Sequence, residues 1–273
     1  RNYLQIPIHE NEASQLMSQS DLLLVFGSEL DGMNTKNWRI PWPDEIVVVD
    51  IRPEKATLNS QAKHQIKTAD ISLIVEQLCE SPKKNPWADV AKLNLAVKNR
   101  LKNGDKEKSG TTLVEAIDNS WPQSDPVFCD MAVSGYWVGV YGKNERPRRT
   151  AYPVGWGTLG FALPAAIGAA SAGMKPLVIC GDGGFAFALS ELATIAQEKL
   201  PITILLNDDG GYGMLRFDQQ VMNHKEQGVD LFNPNWKTLS ESFQIFFKES
   251  NLANLEKDLK EQYKRNQPGL VLL

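Results

Sequence analysis

Two short turns concentrate the residues of this chain that can do chemistry. The first, Gly181-Asp182-Gly183-Gly184, follows the apolar run 177–180. The second, Asn207-Asp208-Asp209-Gly210-Gly211-Tyr212-Gly213, follows the apolar run 202–206. Short continuous apolar runs of this kind are strands of a sheet covered on both faces, and in a parallel sheet both turns then lie at the carboxyl edge, where ligands bind. Glycine lets backbone N–H groups approach a phosphate closely, and the N-terminus of a following helix favours the anion. Carboxylates beside a diphosphate repel it unless a hard cation lies between them. Mg²⁺, with near-octahedral oxygen coordination, suits Asp182 together with a carboxylate or carbonyl of the second turn. A lone Gly-Asp-Gly is an ordinary strand-to-loop turn; two acidic, glycine-rich turns on successive strands point instead to an anion held through a cation.

Other residues are less specific. Pro147-Arg-Arg149 precedes Gly155-Trp-Gly157-Thr-Leu159-Gly160-Phe-Ala-Leu-Pro164-Ala-Ala-Ile-Gly168, which by composition is a closely packed small-residue helix near 157–173. Asp50, at the end of the apolar run 46–51, is placed to touch a nucleotide ribose, although no Gly-x-Gly-x-x-Gly precedes it. His9, His64 and His224 form no ligand spacing. Cys79, Cys129 and Cys180 are far apart, and two lie in apolar runs, which argues against a disulfide framework or zinc site and for a reducing, cytoplasmic location.

Those residues must be positioned by α/β architecture. Strands are expected at 22–26, 46–51, 127–129, 177–180 and 202–206, and 269–273 looks like a strand under way. Helices are expected near 12–20, 71–78, 87–101, 190–199 and 252–263. Residues 81–86 form a breaker cluster. Residues 102–110 are charged, glycine-bounded and free of apolar side chains, as a domain linker would be, and Thr112-Leu-Val-Glu115 is a capping-box start for the next helix. The expected division is a first domain at 1–84, a helix and linker at 85–110, and a second domain at 111–273. Across 273 residues, 42% are hydrophobic and 23% charged, with a net charge of −4. That balance gives no basis for a nucleic-acid partner. The longest apolar stretch, 159–180, is interrupted by Pro164, Lys175 and Pro176 and is not read as a membrane span.

With the turns in place, the chain resembles the thiamine-diphosphate-dependent 2-oxo acid enzymes, most closely the acetolactate synthase large subunit. The resemblance extends over essentially the whole chain. It implies two three-layer α/β domains with mainly parallel sheets: a Rossmann-like central domain, truncated at its start, and a diphosphate-binding domain. In that family Gly-Asp-Gly, a helix, and a strand ending in Asn-Asn or Asn-Asp hold the metal. By this match Asp182 and Asp209 are Mg²⁺ ligands, and Gly211 supplies a main-chain carbonyl. Gly181, Gly183, Gly184, Tyr212 and Gly213 belong to the cofactor site. The carbonyl of Gly157 faces the cofactor's 4′-amino group, Leu159 props its two rings into a bent conformation, and Met214 lines the substrate pocket. Asp130-Met-Ala-Val-Ser134 aligns with a turn that carries Gln and His in the synthases, so Ser134 alone is left as a polar contact. Asp218 stands where the synthases carry a pocket-shaping Trp.

The resemblance further implies a small 2-oxo acid substrate, decarboxylation, and carboligation of the product to a second oxo compound. The alternatives are release of an aldehyde, as in the decarboxylase branch, and a cofactor-binding fragment without turnover. The family's proton-relay Glu belongs to a pyrimidine-binding domain that cannot be mapped here. The chain opens at Arg1 and stops inside an apolar run, so it is expected to be part of a longer polypeptide that forms a homodimer or homotetramer through that domain, with FAD in some members.

Overall fold

The computed structural model describes residues 4–80 and 88–273. It divides into two units, Arg1–Leu101 and Lys102–Leu273. The first contains α1 (Asn11–Ser18), β1 (Leu23–Phe26), β2 (Ile46–Asp50), α2 (Pro53–Asn59), β3 (His64–Lys67), α3 (Ser72–Cys79) and α4 (Val90–Asn103), which ends just past the division. β1, β2 and β3 form a parallel sheet in that order. Val25, Ile46 and Val48 pack with Leu30 and Ala56 of the loop and helix beside them.

The sequence pattern missed α2 and β3, for different reasons. α2 begins at Pro53, whose fixed φ suits a first helical turn, but the polar residues after it carry no apolar stripe. β3 is exposed along its whole length, so no apolar run marks it. The Asp50 carboxylate, read as a candidate ribose contact, instead accepts the Arg52 N–H at 2.7 Å in the turn that leads into α2. The expected breaker at 81–86 and the first residue of the helix expected at 87–101 lie outside the described residues.

Two local features mark the stretch after the division at Leu101. Most of the proposed linker is helical, because α4 runs through Asn103 and α5 (Lys108–Ser120) begins only a few residues later. Helical register brings Gly110 against Trp137, which ties that stretch to the unit that follows. Thr112 does not start the helix: it lies one turn inside α5 and its hydroxyl donates back to the Lys108 carbonyl at 2.8 Å. Inside a helix a Ser or Thr hydroxyl can bond back to the carbonyl one turn earlier instead of capping.

The second unit continues with β4 (Val127–Cys129), α6 (Val133–Tyr141), β5 (Thr150–Ala151), α7 (Ala162–Ser171), β6 (Leu177–Gly181), α8 (Asp182–Ala186), α9 (Glu191–Gln197) and β7 (Thr203–Asn207). α10 (Gly213–Val221), α11 (Trp236–Ser242), β8 (Phe246–Glu249), α12 (Leu255–Arg265) and β9 (Gly269–Leu272) complete it. All six strands are parallel, in the order β5-β4-β6-β7-β9-β8. Burial alternates through the sheet. Leu177, Ile179 and Leu205 face a core shared with α5 and α12, whereas Val178, Cys180, Ile204 and Leu206 face one shared with α7, α9 and α11. A strand buried on both faces has no polar alternation, and this is why β6 and β7 read as continuous apolar runs. From β4 the chain steps outward to β5 and then crosses to the other side of β4 to form β6. This reversal opens a crevice at the carboxyl ends of β4 and β6, the place where open α/β sheets bind ligands.

Candidate cofactor-binding site

The residues after β4, β6 and β7 meet at that carboxyl edge. β4 is prolonged by the Asp130 N–H, which donates to the Ile179 carbonyl at 2.8 Å. Asp130 is 1% exposed. Its Oδ2 accepts the Gly160 N–H at 2.9 Å, and its Oδ1 accepts the N–H groups of Met131 and Phe161 at 3.2 and 3.3 Å. The carboxylate therefore fastens the segment containing Gly157, Leu159 and Gly160 to the end of β4. Burial pushes the Asp130 carboxyl above its usual range, against the opposing effect of those three donors. The small-residue helix is shorter than expected because Gly157 and Gly160, at φ +62° and +77°, turn the chain in the left-handed region before α7 can begin.

At the end of β6, Asp182 is fully buried. Its Oδ2 accepts Asn233 Nδ2–H at 2.6 Å, while its Oδ1 is buried with no hydrogen-bond partner. Burial is the largest influence raising the Asp182 carboxyl; Asp208 and Asp209 act in the same direction, and the Asn233 and Gly183 N–H groups oppose it. Gly183 and Gly184 are glycines by close approach: a Cβ at Gly183 would lie 2.6 Å from the Tyr212 ring, and one at Gly184 2.8 Å from Asp130 Oδ2. Leu159 reaches over Gly184, with Cδ2 at 3.7 Å from the same notional Cβ.

The second turn separates its two aspartates. Asp208 is engaged away from the cavity: its Oδ1 accepts Asn233 Nδ2–H at 2.7 Å and the Gly210 N–H at 3.0 Å, and its Oδ2 accepts Trp236 Nε1–H at 2.5 Å. Asp209 lines the cavity, with its carboxylate against Gly213 at the start of α10. A carboxylate there is favoured by the helix dipole. Gly211 forms an antiparallel bridge with Asp230, flanked by bonds from Tyr212 N–H to the Val229 carbonyl and from Leu231 N–H to the Gly210 carbonyl. Arg216 braces the same turn through an ion pair with Asp230 at 3.0 Å.

A cavity of about 610 Å³ opens between these turns. Its wall includes Ser134, Gly157, Leu159, Gly181 and Asp209, and also Tyr212, Gly213 and Met214. Two polar atoms of wall residues, Ser134 Oγ and Asn207 Oδ1, are buried without a partner. Buried polar atoms left unpaired are uncommon and invite a ligand. Together with the Asp182 oxygen, buried next in sequence to Gly181 of the wall, they fit an anionic cofactor held through a cation. Among the described residues no cluster of three or more His, Cys, Asp or Glu could hold a metal; the expected ligand set, two carboxylates and one carbonyl, is not of that kind. Glu191 begins α9, beyond the Gly-Asp-Gly turn.

Sequence reasoning missed Asn233, Trp236 and the strap at 229–231. The Asn233-Pro-Asn-Trp236 breaker ahead of α11 was legible, and Asn235 does cap that helix by accepting the Thr238 N–H at 2.9 Å. Nothing local, however, shows that Asn233 turns back to Asp182. Among the described residues no helix is long and apolar enough to cross a membrane.

Comparison with known proteins agrees with this geometry. Residues 130–273 match the family model described as thiamine pyrophosphate enzyme, C-terminal TPP binding domain. The chain is 28% identical over 271 residues to a probable 2-ketoarginine decarboxylase, AruI, of Pseudomonas aeruginosa, a match that covers 95% of this chain and 47% of that protein. It is 29% identical over 280 residues to the acetolactate synthase large subunit of Porphyra purpurea, covering 96% and 46%. With the acetolactate synthase isozyme 2 large subunit of Escherichia coli it shares 27% over 245 residues, covering 87% and 44%. The chain thus spans about half the length of the relatives it matches. The matched segment starts at Asp130 and takes in all three turns around the cavity, and the chain belongs to the family of thiamine pyrophosphate enzymes, through their C-terminal TPP-binding domain.

Proposed function

We propose that this chain holds thiamine diphosphate through Mg²⁺ and serves the decarboxylation of a 2-oxo acid. The observation that carries the reading is the cavity itself, whose wall holds the unpaired Ser134 and Asn207 oxygens and the backbone of Gly181 and Gly213, with the unpaired Asp182 Oδ1 next in sequence to Gly181. Asp182 Oδ1, the Asp209 carboxylate and the Gly211 carbonyl would hold the cation. The backbone of Gly181, Gly183 and Gly184 and the Ser134 hydroxyl would face the diphosphate. When bound, the cofactor supplies the electron sink for loss of CO₂. Leu159, Gly157 and Met214 would orient its rings and shape the substrate space. Among the described residues the cavity wall contains no Glu; in this reading the proton-relay carboxylate would come from a separate domain, contributed across a homodimer or homotetramer interface.

The names of the synthase relatives support carboligation to a second oxo compound, as in acetolactate synthases. A second reading, aldehyde release, is favoured by Asp218 in the cavity wall, where the synthases carry a Trp, and by the name of the Pseudomonas aeruginosa relative. Product analysis of the full-length protein with pyruvate separates the two: acetolactate supports the first and acetaldehyde the second. Thiamine diphosphate binding with no CO₂ from any 2-oxo acid would overturn both and leave a non-catalytic cofactor-binding protein.

A further inference from the structure

The cavity has a charge asymmetry that cofactor binding does not use. Met214 and Asp218 lie one turn apart on α10, on the same face, and both line the cavity. α6 contributes Tyr136 and Trp137 to the same wall. No Lys, Arg or His is among the described lining residues, whose only carboxylates are Asp209 and Asp218. Asp209 belongs to the cation site of the proposed function. The Asp218 carboxylate has no hydrogen bond or ion pair among the described residues, and the nearest cation in sequence, Arg216, is engaged by Asp230 and Glu226. Asp218 and Tyr136 both line the cavity, and the Asp218 charge raises the Tyr136 phenol, second to burial. A half-buried carboxylate without a partner, beside aromatic rings, attracts a cation through ion pairing and through the ring faces. A guanidinium meets both demands, because its planar fork matches a carboxylate and its plane stacks on an aromatic ring.

We infer that Asp218 is a specificity-determining residue that selects 2-oxo acids with a cationic, guanidinium-type side chain, with Tyr136 and Trp137 forming the apolar wall beside it. This inference rests on the 2-oxo acid reading above and narrows its substrate class.

Two measurements on the full-length protein test it. In the first, CO₂ release is compared for 5-guanidino-2-oxopentanoate and 5-ureido-2-oxopentanoate, which have nearly the same shape and differ in charge. The wild-type protein should favour the guanidino acid about 10- to 100-fold in kcat/KM, the range expected for one charge-assisted contact. In Asp218→Asn that ratio should collapse to near one. In the second, calorimetry follows 5-guanidinopentanoate, which lacks the 2-oxo group and cannot be turned over. Its Kd should weaken about 10- to 100-fold in Asp218→Asn. Equal discrimination in wild type and variant, or a preference for the neutral acid, overturns the assignment while the decarboxylase reading stands. Charge-dependent binding through Asp218 without CO₂ from any 2-oxo acid supports the cation subsite and overturns the functional reading instead.

Discussion

Asp130 Oδ2 accepts the backbone N–H of Gly160 at 2.9 Å across thirty positions of sequence. Through this contact a strand end holds the loop that presents Gly157 and Leu159 to the cavity. Asp130→Ala removes the acceptor for three backbone donors in a buried position. The expected loss of stability is roughly 2–4 kcal/mol, since each unmet buried donor costs about 1–3 kcal/mol and the loop can relax in part. Asp130→Asn keeps one acceptor and should lose about half as much. Denaturant unfolding measures both; an alanine variant as stable as the wild type would show that the contact does not hold the loop.

The same carboxylate has a pH signature. Its folded-state pKa is raised, chiefly by burial, so the folded protein binds the proton more tightly than the unfolded chain does. Stability from this group is then greatest at low pH and is lost as pH rises through the folded pKa. The difference in stability between wild type and Asp130→Asn should therefore shift in favour of the wild type as pH falls from neutral toward the usual carboxylate range. Thermal melts of the cofactor-free proteins across that window would refute the idea if the difference stayed flat or changed in the opposite sense.

Gly160 and Gly168 make a matched pair of glycine tests. Gly160 has φ +77°, and a Cβ there would lie 2.8 Å from the Phe187 Cβ. Gly160→Ala should cost about 1–3 kcal/mol from left-handed strain and overlap. Gly168 is inside α7, where a Cβ meets nothing within 4 Å. Gly168→Ala should stabilise by about 0.5–1 kcal/mol through helix propensity. Melting curves of the two variants should move in opposite directions.

Leu159→Ala should reduce turnover more than it reduces cofactor affinity. In the proposed site the diphosphate and its cation supply most of the affinity, while Leu159, seated over Gly184, acts on ring orientation, to which reaction rates are sensitive. The comparison is the loss in kcat against the loss in thiamine diphosphate affinity by calorimetry. Equal losses would mean that Leu159 contributes binding alone.

The metal assignment predicts an order of effects within the second turn. Asp182→Ala and Asp209→Ala should each weaken Mg²⁺-dependent thiamine diphosphate binding at least about 100-fold, and chelation of Mg²⁺ should do the same to the wild type. Asn207→Ala should matter less, although its unpaired Oδ1 makes it the sharpest check. An Asn207 effect larger than that of Asp209 would move the ligand register to the start of the turn.

The sequence by itself determined the strands that carry the site. β4, β6 and β7 are buried on both faces, and such strands announce themselves as apolar runs wherever they lie in the fold. It also determined the composition of the two turns, because a close backbone approach requires glycine whatever surrounds it. Its reading stopped short where an element is exposed, as in β3, or where aromatic and β-branched residues form a helix, as in α6. Only the tertiary structure decided that Asp208 turns to Asn233 and Trp236 while Asp209 faces the cavity. Adjacent aspartates are equivalent in sequence; they differ here because segments far along the chain provide donors to one and leave the other beside open space. The same holds for Asp130, whose partners thirty positions away are brought to it by the strand crossover and by no local pattern.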